Sequence, residues 1–158
     1  MIVRLNGVLI ALLAVLAWAP ARADAIVDVL RAYGLLGTWA SDCTAGASTS
    51  NWFVTYYVSS SGQARRISER GPDQPTLDGT VDNAERLTAD TLRMKLRNED
   101  PNWGDSNGRW YDVVVQVKGG ASHSLSSIGS DGVQYIREGK FKNGNPAPVL
   151  HFCRNKNS

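Results

Sequence analysis

After residue 37 the apolar and polar residues alternate in short runs, and this period of two is typical of half-buried β-strands. Leu92, Met94 and Leu96 fall on one face of such a segment, and the cationic residues between them fall on the other. The pattern predicts nine strands. Their predicted bounds are Thr38–Ser41, Trp52–Ser59, Ala64–Arg70, Thr76–Leu87, Thr91–Arg97, Arg109–Lys118, Ser122–Ile128, Val133–Phe141 and Val149–Arg154.

The segment that precedes the predicted strands has apolar residues at the spacing of an α-helix. Between Asp24 and Tyr33 four apolar residues follow the i, i+3, i+4, i+7 spacing of one helix face: Ile26, Val29, Leu30 and Tyr33. Gly34 is placed to end this helix, because glycine readily adopts the left-handed conformation found after many helices. A short amphipathic helix is therefore predicted to open the domain and to cover one side or end of the core.

The links between the predicted strands are short and contain turn residues such as Gly119-Gly120, as expected for antiparallel hairpins. We therefore predict an all-β fold, an antiparallel barrel of about eight to nine strands with a short N-terminal helix. Closure is favoured because it removes the exposed sheet edges that promote aggregation. A β-sandwich is the alternative. No repeat or linker divides residues 24–158, so one domain is expected.

The first 23 residues have the features of a secretory signal peptide. Arg4 precedes an apolar stretch from Val8 to Trp18, and the small-residue end Ala21-Arg22-Ala23 follows. These 11 apolar residues are well short of the roughly 20 that a membrane-spanning helix needs. The sequence predicts a mature chain from Asp24 that is periplasmic or secreted, with no stable membrane insertion.

The charge and the cysteines bear on partners and compartment. The full chain has 17 basic and 15 acidic residues, and two of the basic ones, Arg4 and Arg22, lie in the leader. The mature chain is therefore formally neutral, which argues against nucleic acid as a partner. Cys43 and Cys153 are its two cysteines, and export predicts a disulfide between them. Two unpaired buried thiols are the alternative.

A short motif at the junction of the predicted helix and the first strand points to a family. Gly37-x-Trp39 with Cys43 close behind resembles the Gly-x-Trp opening of lipocalins and other calycin-type barrels. The stretch also resembles a group of small exported proteins of Gram-negative bacteria. The lipocalin resemblance implies that Trp39 packs across the closed end of the barrel, against a basic side chain from the end of the last strand. Arg154 is the expected partner, with Lys156 as the alternative.

No catalytic, metal or cofactor motif emerges from the sequence. His123 and His151 are the only histidines, and neither has another ligand-type residue at the spacing of a metal site. His123 lies among serines, but no Gly-x-Ser-x-Gly motif accompanies it. We therefore predict no enzyme activity, no metal and no cofactor.

Two groups of side chains are candidates for binding. The first is aromatic, and its members are Trp52, Tyr56, Trp103 and Trp110. By alternation Trp52 and Tyr56 share one strand face, and Phe53 and Tyr57 share the other. Their plainer role is to fill the core, and the sequence leaves open whether the barrel is filled or hollow.

The second group is a candidate basic patch of Arg93, Lys95 and Arg97, which a neighbouring segment would extend if the fold brought the two together. The cations of that segment are Arg65, Arg66 and Arg70. A solvated outer face is the plainer interpretation of both segments.

These features favour a non-enzymatic periplasmic barrel that binds a small, partly apolar ligand in its interior or open mouth. The alternative is a protein interaction module, such as an inhibitor of an exported or host enzyme, which acts through a loop or a charged face. The expected partner is thus a small apolar ligand or another periplasmic or extracellular protein.

Overall fold

The computed structural model describes the backbone of residues 19–153, and the side chains of residues 23–153 other than Trp103. The predicted leader up to Trp18, and both predicted partners of Trp39, Arg154 and Lys156, lie outside the described residues. Within residues 19–153 the chain forms one α-helix, α1 (Ala19–Ala32), and ten strands. The strands are β1 (Gly37–Ala40), β2 (Phe53–Val58), β3 (Ala64–Glu69), β4 (Leu77–Arg86), β5 (Thr91–Asn98), β6 (Trp110–Lys118), β7 (Ala121–Gly129), β8 (Gln134–Arg137), β9 (Lys140–Phe141) and β10 (Val149–Phe152).

Strands β1 to β7 pair antiparallel with their neighbours along the chain, and β10 closes the sheet by pairing with both β1 and β7. Trp39 lies opposite Phe152, and Leu150 lies opposite Ser122. The fold is thus a closed barrel of eight strands, as predicted, and not the alternative sandwich. Eight of the predicted strands lie within one or two residues of observed ones.

The prediction of a single strand over Val133–Phe141 is wrong, because this segment is a hairpin of β8 and β9 that extends from the C-terminal half of β7. Its two turn residues, Glu138 and Gly139, have positive φ angles of 51° and 72°. A two-residue turn with positive φ at both positions matches the right-handed twist of the flanking strands. The hairpin adds to the barrel without taking part in its closure.

Helix α1 closes one end of the barrel. It packs against β3 and β4, and its residues Val27 and Leu30 belong to the main hydrophobic core. The Tyr33 hydroxyl then donates to the carbonyl oxygens of Thr88 and Thr91, in and beside the β4–β5 turn. We call this the helix end of the barrel, and the opposite end, with the β1–β2, β3–β4 and β5–β6 loops, the loop end.

Trp39 and the disulfide lie on opposite faces of the first strand. Trp39 faces inward, is 2% exposed and meets the Phe152 ring edge-on, with ring centres 5.3 Å apart. Ala40 faces outward and packs with Phe53 and Cys153 in a small second cluster. Cys43 and Cys153 form a disulfide with Cα atoms 5.4 Å apart. Within residues 19–153 no helix is long and apolar enough to cross a membrane.

Candidate functional site

Strands β2 and β3 place aromatic and cationic side chains opposite one another on the inner face of the barrel. Tyr56 lies directly opposite Arg66, and Val54 lies directly opposite Ser68. Paired residues of an antiparallel ladder share a face, and Tyr56 belongs to the core. Arg66 and Ser68 therefore face inward with it.

The same register, continued one step beyond the ladder, brings Arg70 to Trp52. The last pair of the ladder is Phe53 with Glu69, so Trp52 and Arg70 are next and share the inner face. The two side chains are in contact, because the Arg70 guanidinium carbon lies 5.5 Å from the centre of the Trp52 ring. We call these residues the inner stripe: Trp52, Val54, Tyr56, Arg66, Ser68 and Arg70.

Two adjacent arginines of β3 have opposite surroundings because strand side chains alternate. Arg65 faces outward and forms ion pairs with Asp78 at 2.8 Å and Glu99 at 2.9 Å. The hydrogen bond to Asp78 is the main reason why the pKa of Arg65 is raised. Arg66, the next residue, faces the barrel interior opposite Tyr56. The six cations weighed in the sequence therefore do not form one patch.

Arg70 carries a buried donor without an acceptor. Its Nε atom is buried and has no hydrogen-bond partner, a state shared in the described chain only by the Thr80 hydroxyl. Leaving a buried polar group unpaired costs about 1–3 kcal/mol, and more when the group is charged. The face of the Trp52 ring attracts the positive charge of the guanidinium. The ring does not serve as a hydrogen-bond acceptor for the Arg70 Nε–H. The site therefore offers an unused donor beside an aromatic ring.

Tyr56 supplies a hydroxyl to the same face. Burial raises the pKa of its phenol, and the positive charge of Arg66 opposes part of that rise. The phenol is thus neutral near pH 7 and keeps its proton for donation. Donors of two kinds, a guanidinium and a neutral hydroxyl, therefore lie along the inner stripe.

The inward positions of the eight barrel strands carry positive charge and no carboxylate. Arg66 faces inward opposite Tyr56, and Arg86 shares the inner face with Leu92, its partner on β5. The acidic residues of these strands all face outward; they are Glu69, Asp78, Asp82, Glu85 and Asp112. The charged side chains on the inner face of the barrel strands are therefore all cationic, and Arg86 among them is exposed.

Burial differs between the two ends of the barrel. At the helix end Leu30 and Leu92 are 0% exposed, so the interior there is filled. Towards the loop end Val54 and Tyr111 also face inward but are only half-buried. Arg66 is half-buried as well. Ser68 and Leu77, which also face inward towards the loop end, are 1% exposed, so burial at this end is mixed.

The other predicted ligand-binding residues are placed differently. Trp110 lies on the outer face, opposite Arg97, and the Lys95 ammonium lies 4.3 Å from the centre of its ring. The inward position belongs to its neighbour Tyr111, and a role of Trp110 in ligand binding stays a prediction. The side chain of Trp103 lies outside the described residues.

The candidate basic patch lies on the outer face, as the alternation in β5 predicts. Arg97 forms an ion pair with Asp82 at 2.5 Å. Lys95 lies directly opposite Asp112, and Arg93 lies opposite Glu85. The face is thus mixed in charge, because acidic residues of β4 and β6 flank the three cations. Its role in binding a partner stays a prediction.

A surface cleft of about 450 Å³ lies at the helix end, away from the inner stripe. Its lining includes Tyr33, Lys118 and His151. Neither of the two buried unpaired side-chain atoms in the described chain belongs to it. The inner stripe therefore has the stronger chemical reason to take a ligand.

The histidines do not form a metal site within the described residues. His151 is exposed on β10, and the His123 ring packs against Gly139, where an added Cβ would lie 2.7 Å from Cε1. No group of three His, Cys, Asp or Glu side chains is positioned to hold a metal ion in residues 23–153.

Sequence reasoning missed Arg66 and Arg70 as inner residues, because it treated them with Arg65 as one cationic segment. The available signal was their spacing, since positions 66, 68 and 70 share a face with Ala64.

The chain matches no protein-family model, no curated protein and no solved structure. The class of protein is therefore assigned from the fold and the candidate site. It is an all-β protein with a closed, eight-stranded antiparallel barrel of lipocalin-like architecture, with a helix at one end.

Proposed function

We propose that this protein is a non-enzymatic binding barrel that takes a small, partly apolar ligand into the loop end of its interior. The observation that carries the proposal is the inner stripe, where Arg70 keeps a buried Nε without an acceptor beside the Trp52 ring. Small-ligand sites are concave, mostly apolar and contain a few placed polar groups. The stripe has this composition.

The arrangement suits an amphipathic ligand better than a wholly polar one. Val54, Tyr111 and the Trp52 ring offer apolar surface that is accessible from inside or at the mouth, and Trp52 is 41% exposed. The guanidinium of Arg70 and the phenol of Tyr56 offer donors. A ligand with an apolar body and a polar tip satisfies both kinds of surface.

Export is part of the proposal. Disulfides persist mainly in oxidising compartments, and the Cys43–Cys153 bond links positions 110 residues apart. Together with the leader expected at residues 1–23, it supports a periplasmic or secreted protein. The resemblance of residues 37–43 to small exported proteins of Gram-negative bacteria agrees with this location.

A neutral fluorescent probe, N-phenyl-1-naphthylamine, tests the site. We expect saturable binding to the wild-type protein, and an affinity lowered about tenfold, or about 1.4 kcal/mol, by Trp52→Ala. Trp110→Ala is the matched control, because that indole lies on the outer face. Circular dichroism confirms that both variants are folded. The proposal fails if the wild type does not bind the probe, or if the two variants weaken binding equally.

Native mass spectrometry of the protein purified from its own cells provides a second test. A small mass that is retained by the wild type and reduced in Trp52→Ala supports the binding barrel. A retained protein, unaffected by Trp52→Ala, overturns the proposal in favour of the interaction module.

A further inference from the structure

The geometry points to a ligand with an oxyanion head group, a carboxylate or a phosphate monoester, that binds at Arg70 inside the loop end of the barrel. This inference rests on the proposed function and specifies the chemistry of the ligand. Three independent features of the described residues support it: an unpaired guanidinium donor, an interior without acidic residues, and a neutral phenol on the same face.

The first feature is the orientation of Arg70. A guanidinium donates in its own plane, and its Nε and one Nη form a parallel pair of donors that matches the two oxygens of a carboxylate or phosphate. The guanidinium carbon of Arg70 lies 5.5 Å from the centre of the Trp52 ring, so the aromatic ring attracts the cation without accepting its in-plane donors. The Nε is buried and has no acceptor. An oxyanion accepts from this donor and also balances the charge of the guanidinium.

The second feature is the charge of the interior. No acidic side chain on the eight barrel strands faces inward, whereas Arg66, Arg70 and Arg86 share the inner face. The nearest acidic residue in the chain, Glu69, is exposed on the outer face opposite Phe53. A carboxylate from within the barrel strands therefore does not compensate Arg70. An anion at Arg70 therefore meets no carboxylate on the inner face of the barrel strands.

The third feature is the neutral phenol of Tyr56, and its role follows from the positions of the two arginines on its face. The Cα atoms of Arg66 and Arg70 are about 13 Å apart, the span of four residues in a strand. We therefore assign the direct contact to Arg70. Arg66 adds positive potential at longer range. The neutral phenol of Tyr56 lies directly opposite Arg66, deeper in the barrel than Arg70, and is a donor to a ligand oxygen that reaches that depth.

Three matched ligands test the head group: decanoate, decyl phosphate and decan-1-ol, which share a ten-carbon chain. Their affinities are measured by displacement of N-phenyl-1-naphthylamine, below their micelle concentrations. We expect at least one of the two anions to bind the wild type about tenfold or more tightly than the alcohol. The tighter of the two anions identifies the oxyanion as carboxylate or phosphate.

Arg70→Gln removes the charge, and we expect it to abolish the preference for the anion while the affinity for decan-1-ol changes little. Arg93→Gln, on the outer face, is the control and should keep the preference. Arg70→Lys keeps the charge but loses the Nε donor, so it should recover only part of the preference. Unfolding midpoints verify that the variants are folded. If Arg70→Gln is unstable, the inference is tested by the Arg70→Lys variant and by the comparison of the anions with the alcohol on the wild type.

The inference is overturned if decan-1-ol binds the wild type as tightly as both anions, or if Arg70→Gln keeps the full preference. In either case the proposed function stands, because the probe and the alcohol still bind. If neither the probe nor any of the three ligands binds, the proposed function itself is refuted, and the head-group inference is refuted with it.

Discussion

The indole Nε1 of Trp39 donates a hydrogen bond of 2.8 Å to the main-chain carbonyl oxygen of Leu35. Both residues are buried, at 2% and 0% exposure, so this bond satisfies two polar groups that water does not reach. Leu35 lies in the turn that follows α1, and Trp39 lies on β1. The bond therefore fixes the chain at the point where the helix passes into the barrel.

Trp39→Phe should destabilise the protein, because it leaves the buried Leu35 carbonyl without a donor. We expect a loss of about 1–3 kcal/mol in the free energy of unfolding, measured by urea denaturation. Trp52→Phe is the matched control, since its Nε1 donates to the Thr49 carbonyl at an exposed site. Its effect should stay within about 0.5 kcal/mol. Equal losses in the two variants would contradict the role assigned to Trp39.

The disulfide should contribute strongly to stability because it closes most of the domain. Its cysteines are 110 residues apart in sequence, and the chain-entropy model gives about 4–5 kcal/mol for a loop of this length. We expect the variant Cys43→Ser/Cys153→Ser to lose about that much in guanidinium denaturation. Reduced wild-type protein is the control and should match the variant. A difference below about 1 kcal/mol between oxidised wild type and variant would refute the entropic account.

Gly79 is required by the close approach of β4 and β5. A Cβ at this position would lie 2.4 Å from the carbonyl oxygen of Arg97, which is main chain and has little room to move. Gly79→Ala should therefore cost about 1–3 kcal/mol in unfolding free energy. Gly46→Ala, where an added Cβ meets nothing within 4 Å, is the control and should change stability by less than about 0.5 kcal/mol. If Gly79→Ala were as stable as its control, the described β4–β5 register would be wrong.

Asp131 should make stability depend on pH. The backbone N–H of Val133, the Tyr135 hydroxyl and the charge of Arg109 lower the pKa of its carboxyl below the ordinary value of 3.8. A carboxyl whose pKa is lower in the folded state stabilises the fold above its unfolded pKa and loses that contribution as pH falls through the folded value. Asp131→Asn should therefore lower the urea midpoint at pH 7.

The difference between wild type and Asp131→Asn should shrink as the pH falls below about 4, where the carboxyl takes up its proton. Asp73→Asn, in an exposed loop, controls for the loss of one surface charge. A constant difference between pH 7 and pH 3 would show that the Asp131 carboxylate contributes nothing through its ionised form.

Much of the fold was predictable because strand alternation is a local property. In β5 the three apolar residues at 92, 94 and 96 have exposures of 0%, 0% and 5%, as their period of two predicts. The β8–β9 hairpin was missed because Glu138 is an unusual residue for a position with positive φ. Gly139, inside the predicted strand, was the local signal of a turn.

Local patterns thus decided the all-β class of the fold, the helix and most of the strands. They did not decide which of Arg65 and Arg66 faces the interior. The two residues have the same chemistry, and the sequence of β3 by itself allows either alternate set of side chains to face inward. The ladder with β2 and the closure of the sheet by β10 decide this, through pairings between residues far apart in the chain. Tertiary structure alone therefore decides that Arg66 faces the interior and that the acidic residues of the barrel strands face outward.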